Sequence, residues 1–228
     1  GRVQLLYLHG VGDARVAGDW LRALTAGLVT AGCGELDDRD FIAPGYTELL
    51  TTKPTPSATM PESTLPSLAK EEAERERREY DRRQCRLERL VQQRKNNVEP
   101  ASSDWPRPIP EITLACISQA NRYVKDLGLR AVILRRVSDA LIHGSALVIV
   151  GHSLGSLIAI DLLPLLKVEV RLLVTLGSPA GHATISSHKG WSFPVTRVRS
   201  WLNVWAQGDW ITASRGIAHR YPWALDHS

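Results

Sequence analysis

Residues 146–156 read ALVIVGHSLGS, and the reading of the whole chain turns on them. The apolar run from Ala146 to Val150 has the length and β-branched content of a short buried strand. Gly151-His152-Ser153-Leu154-Gly155 follows, and Ser156 opens the run SLIAIDLL, which reads as a buried helix. A Gly-x-Ser-x-Gly match by itself is common. Between a strand and a helix it puts the serine on a sharp turn, hydroxyl above the sheet end, with a residue lacking a side chain on either side so that strand and helix can close up. The N-terminus of that helix also turns unpaired N–H groups, and the positive end of its dipole, toward any oxyanion formed at Ser153.

The bulk properties leave room for such a site and exclude several others. A chain of 228 residues with 43% apolar residues suffices for one sizeable domain with its own core. The formal charge of +4 is mild and its arginine excess is local, so no nucleic-acid partner is expected. Cys33, Cys85 and Cys116 are widely spaced and form no Cys-x-x-Cys, which argues against a disulfide framework or a zinc site and fits a reducing compartment. No stretch approaches the roughly 20 apolar residues of a membrane span. No leader is visible ahead of Val3, and a cytoplasmic location is the expectation.

Along the chain, 3–8 reads as a buried strand ending in His9-Gly10-Val11-Gly12, 19–28 as an amphipathic helix, and 40–45 as a second strand with its turn. Strand, helix, strand is the unit of a parallel sheet. The composition then changes. Residues 51–67 are rich in Pro, Ser and Thr and read as an extended linker without a core. Residues 70–95 mix Glu and Arg at helical spacing with few apolar positions, chiefly Tyr80, Leu87, Leu90 and Val91, and read as a solvated helix. Together 51–110 form an insertion, read either as a lid or as a mobile arm, whose charge offers a surface to a protein partner. Two helices broken at Gly128 precede the 146–150 strand. Residues 170–176 form a strand ending in Gly177-Ser178-Pro179, and 201–205 form the last clear strand, with Gln207-Gly208-Asp209 in its exit loop.

The elbow, the opening strand followed by His9-Gly10, and the strand followed by Gly177-Ser178-Pro179 resemble the lipase and esterase branch of the α/β-hydrolase superfamily. The resemblance covers most of the chain outside 50–110. It implies a single α/β domain over 1–228, doubly wound, with a mostly parallel sheet and helices on both faces. It also implies a serine nucleophile, with acid and base following it in that chain order. Carried onto this chain, the oxyanion-hole N–H groups belong to Val11 and Leu154.

A serine hydroxyl is a poor nucleophile until a histidine takes its proton, and that histidine needs a carboxylate to orient it. Asp209 leaves the C-terminal end of a strand, where such groups belong, and its segment matches the branch's acid-bearing one. Asp161 lies within the helix behind Ser153 and should face away. For the base, His152 lies in the elbow, His143 precedes the nucleophile strand, and His182 and His188 come before the acid. Asp226-His227-Ser228 resembles the His-Ser that follows the branch's final strand. His227 is therefore the expected base, with His219 as the alternative and a residue beyond Ser228 as the third. The expected chemistry is cleavage of a small-molecule or lipid-like acyl ester or thioester, with no metal and no cofactor. The competing class is an interaction module of the same fold with little or no turnover.

Overall fold

The structure is a computed structural model that describes residues 2–10, 14–34, 36–51, 57–97, 110–182, 185 and 191–228. Among these, the strands β1 (Val3–Leu8), β2 (Phe41–Ile42), β3 (Ala146–His152), β4 (Val170–Leu176), β5 (Trp201–Val204) and β6 (Leu225–His227) build one sheet in the order β2-β1-β3-β4-β5-β6. Every neighbouring pair is parallel. The helices are α1 (Ala14–Thr30), α2 (Thr47–Thr51), α3 (Lys70–Asn97), α4 (Pro110–Lys125), α5 (Leu127–Asp139) and α6 (Leu154–Leu162).

Alternation along the strands divides the core in two, because successive side chains point to opposite faces. Leu5, Tyr7 and Val150 meet Trp20 and Leu24 of α1, with the Tyr7 and Trp20 rings stacked at 4.3 Å. Leu6, Leu8, Leu147, Ile149 and Leu173 face the other way, onto Tyr123 of α4, Ile133 and Leu134 of α5 and the buried side chains of α6. The chain steps from β1 to β2 in one direction and from β3 to β4 in the other. With right-handed connections that reversal sends α1 and α6 to opposite faces, and it puts the topological switch point, the place where open α/β sheets characteristically bind ligands, between the ends of β1 and β3.

Asp161 faces away from the elbow, as its helix position suggests. Its carboxylate accepts from Arg130 Nε and Nη2 at 2.6 and 2.8 Å and from the Tyr123 hydroxyl at 2.8 Å. Burial pushes the Tyr123 phenol well above its ordinary range. The helix break falls at Asp126 rather than Gly128, because the Asp126 carboxylate accepts the Leu129 N–H at 3.0 Å and caps α5. Pro164 lies in a short 3-10 turn that closes α6.

The linker and the charged helix are tied to the sheet more closely than their composition predicts. Met60 packs on the main core, and Thr64 donates its N–H to Pro164 O at 2.8 Å and its hydroxyl to Leu166 O at 2.8 Å. Tyr80 of α3 is buried, ring-to-ring with Phe193 at 5.0 Å, and its hydroxyl donates to Trp223 O at 2.6 Å. Gln84 spends its whole amide on main chain: Nε2 donates to Trp201 O and Trp223 O at 2.9 and 2.8 Å, and Oε1 accepts from Trp201 N at 3.0 Å. By contrast Leu90, further along the same helix, is 55% exposed. Trp201 opens β5 and Trp223 precedes β6, so these anchors hold α3 at the sheet edge opposite Ser153.

One polar row crosses the sheet. Thr175, Asn203 and Asp226 occupy matched positions on β4, β5 and β6. Thr175 Oγ1 donates to Asn203 Oδ1 at 2.7 Å, and Asn203 Nδ2 donates to Asp226 Oδ1 at 2.8 Å. The Asp226 carboxylate also accepts the N–H groups of Ile217 and Ala218, at 3.0 and 2.9 Å.

Candidate active site

Ser153 sits between the last residue of β3 and the first of α6 with φ 51° and ψ −120°, a conformation that side-chain-bearing residues rarely adopt. It caps α6 without a side-chain hydrogen bond, so its hydroxyl is not spent on the helix end. The glycines around it are sterically required. A Cβ on Gly155 would lie 2.0 Å from Leu8 O, and one on Gly151 would lie 2.6 Å from Gly155 O. A Cβ on Gly10 would come within 2.9 Å of Ser153 Cβ and 3.5 Å of its Oγ, so the exit of β1 presses directly on the serine. This contact lies at the switch point between β1 and β3. Leu154 is buried at the first position of α6, where an N–H has no partner within the helix. Val11, the other expected oxyanion donor, lies outside the described residues, as does His188.

His9 is buried, with Nδ1 2.8 Å from Gly10 O, and its ring stacks on Tyr46 at 4.4 Å. The Tyr46 hydroxyl donates to His9 O at 2.5 Å, so this residue serves the turn. Asp209 occupies the β5 exit loop. Its Oδ1 accepts the Ile211 N–H at 2.9 Å and its main-chain carbonyl accepts the Ser214 N–H at 3.0 Å. Its other oxygen, Oδ2, turns toward Gly177, which has φ +54° and lacks the side chain that would stand between Asp209 and the His152 ring. A Cβ on Gly177 would lie 3.5 Å from Asp209 Oδ2 and 3.9 Å from His152 Nε2. Solvent reaches His152, yet the protein packed around it lowers its pKa; Asp209 partly offsets that, and nearby His9 adds to it.

His227 ends β6 at the same, C-terminal end of the sheet as Ser153. His152, Leu176, Val204 and His227 form one register row, so three strand spacings of about 4.8 Å put the backbones of His152 and His227 about 14 Å apart. The His227 carbonyl accepts the Trp205 N–H at 3.0 Å. Among the described residues, no hydrogen bond joins the His227 ring to Asp209 or Ser153. The structure thus puts Ser153, Asp209 and His227 at the C-terminal end of the sheet without joining them, and brings the His152 ring within reach of the Asp209 charge. His219 is exposed, its Cε1 3.3 Å from where a Cβ on Gly181 would be.

The contacts of three residues within the quoted motifs escape sequence reasoning. Gly10 belongs to the His9-Gly10 turn that carries part of the resemblance, but its close packing on Ser153 shows only in the fold. Ser156 and Ser178, both fully buried, join hydroxyls at 2.6 Å across 22 residues of chain. The serine in Gly177-Ser178-Pro179 is the signal for the second of these, a polar residue in an otherwise closed turn. Two cavities of about 280 and 340 Å³ lie against α3 and are lined by neither Ser153, Asp209 nor His227. Among the described residues no helix is long and apolar enough to cross a membrane, and no three His, Cys, Asp or Glu side chains are grouped to hold a metal ion. No family model, curated protein or solved structure matches the chain.

Proposed function

We propose that the chain is a serine hydrolase of the α/β-hydrolase kind that cleaves an ester or thioester through an acyl-enzyme on Ser153. The observation that carries this reading is the backbone of Ser153. A side-chain-bearing residue is held at φ 51°, with Gly10 packed directly against it, at the sheet's switch point. Strain of this order, about 1–3 kcal/mol, persists where the side chain has work to do.

In the proposed reaction Ser153 Oγ attacks the acyl carbonyl and gives its proton to His227, whose imidazolium is stabilised by Asp209. The Leu154 and Val11 N–H groups hold the oxyanion. Collapse of the tetrahedral intermediate breaks the bond to the alcohol or thiol, which leaves with the proton from His227. A water deprotonated by the same imidazole then releases the acid. The substrate is a small-molecule or lipid-like acyl ester, the reaction so written uses no cofactor, and a cytoplasmic location fits the three scattered cysteines.

A fluorophosphonate probe tests the reading. Labelling of the wild type on Ser153, lost in Ser153→Ala, supports it. Labelling that survives the substitution, or maps to Ser178, overturns it. The missing hydrogen bonds between His227 and its two expected partners favour a second reading, an interaction module of the same fold with little or no turnover. That module would leave short- and long-chain nitrophenyl esters intact.

A further inference from the structure

Two buried hydroxyls stand behind the elbow. Ser156 lies in the first turn of α6 and Ser178 at the exit of β4, and both are fully enclosed. Ser156 Oγ is 2.5 Å from Ser153 O and 2.6 Å from Ser178 Oγ, while Ser178 Oγ accepts the Ala180 N–H at 3.2 Å. A hydroxyl has one hydrogen. With the Ser156 hydrogen on the Ser153 carbonyl, Ser178 supplies the hydrogen between the two oxygens. The bonds then run in one direction: Ala180 N–H to Ser178, Ser178 O–H to Ser156, Ser156 O–H to Ser153 C=O. No hydrogen of this chain is left over, so Ser178 serves the neighbouring turn and is no second nucleophile.

The carbonyl that receives the last bond belongs to the peptide joining Ser153 to Leu154. That peptide is planar and trans, so its C=O and N–H point in opposite directions. Fixing the Ser153 carbonyl against Ser156 therefore aims the Leu154 N–H the other way. The Ser156 N–H also donates to the same carbonyl at 3.0 Å, so two donors hold one oxygen. Ser178 is itself anchored, because the Gly177 N–H donates to Val204 O at 2.9 Å on β5.

We propose that Ser156 and Ser178 are positioning residues that hold the Ser153–Leu154 peptide so that the Leu154 N–H meets the oxyanion. This rests on the hydrolase reading above. Losing a whole oxyanion donor slows acyl transfer by about 10²–10³-fold, and misaiming one should cost about tenfold or more.

The test measures ester turnover and the fluorophosphonate labelling rate in Ser156→Ala, Ser178→Ala, the double variant and Ser178→Thr, each with its melting temperature. The expected result is a kcat loss of about tenfold or more with KM unchanged, recovery in Ser178→Thr, and a double variant no worse than Ser156→Ala, since the two act as one unit. Equal kcat across all the folded variants, or losses that multiply in the double variant, would overturn the proposal. If the wild type itself is not labelled, the hydrolase reading fails separately. The clamp is then judged by hydrogen exchange of the Ser156 amide: faster exchange in Ser178→Ala than in Ser178→Thr supports it, and equal exchange overturns it. The same exchange comparison decides the matter if Ser156→Ala does not fold.

Discussion

Gly155 lies against the end of β1 so closely that a Cβ there would sit 2.0 Å from Leu8 O, 2.5 Å from Leu8 C and 2.8 Å from His9 O. All three are main-chain atoms of a buried strand and its exit, so no side-chain rotation relieves the clash. Gly155→Ala must pry α6 from β1, and a loss of about 3 kcal/mol or more is expected by denaturant unfolding. Probe labelling should fall with it. Gly45→Ala is the control, because nothing lies within 4 Å of its added methyl.

His227→Ala should cost nearly as much rate as Ser153→Ala, about 10³-fold or more, because members of a triad act as a unit. Asp209→Asn keeps an oxygen for the Ile211 N–H, so the loop should stay folded while ester turnover falls steeply. His219→Ala should be silent in turnover. A silent His227→Ala beside a damaging His219→Ala would reverse the assignment.

The anchors of α3 should govern stability and leave the serine alone. Gln84→Ala removes one donor group and one acceptor shared among three main-chain bonds at the start of β5 and ahead of β6, and should cost about 2 kcal/mol or more. Tyr80→Phe, which loses the bond to Trp223 O, should cost about 1 kcal/mol. Leu90→Ala, on the exposed part of the helix, should stay within about 0.5 kcal/mol. Urea midpoints check the order, and labelling of the folded fraction should be unchanged throughout.

His152 should make stability depend on pH. Its folded pKa lies below the ordinary value of 6.5, mainly because protein displaces water around the ring. The unfolded chain then binds more protons as pH drops below that value, so this contribution to stability is full above it and declines on acidification. His152→Asn should flatten that part of the melting-temperature profile between pH 7 and 5. A steeper decline in the variant would mean that Asp209 outweighs the displaced water.

The elbow was legible because strand, turn and helix are contiguous, and each declares itself within a few residues. β6 was not, since the three residues Leu225–His227 carry no periodicity and are a strand only by pairing with β5. The docking of α3 was hidden for a related reason. One buried tyrosine and one glutamine among many charges leave the helical pattern polar, and their partners lie more than 100 residues away. Asp126 against Gly128 was a contest between a cap and a breaker, and the cap's hydrogen bond to Leu129 settled it. Asp209 is expected as the acid from its place after a strand, and the structure puts it in the loop that leaves β5. That its free oxygen turns toward His152 depends on the positive φ of Gly177, a fact of the folded loop.

The row of Thr175, Asn203 and Asp226 acts as a checksum on strand alignment. If β6 slid by one residue against β5, Leu225 or His227 would replace Asp226 opposite Asn203, because neighbours along a strand face opposite sides. Asn203 Nδ2 and the Ile217 and Ala218 amides would then lose their acceptor together, at about 1–3 kcal/mol for each donor left buried. A misaligned edge strand is thereby rejected as the sheet forms. The position of His227 relative to the elbow is thus dictated by the residue before it, and selection for a well-placed imidazole would act first on Asp226.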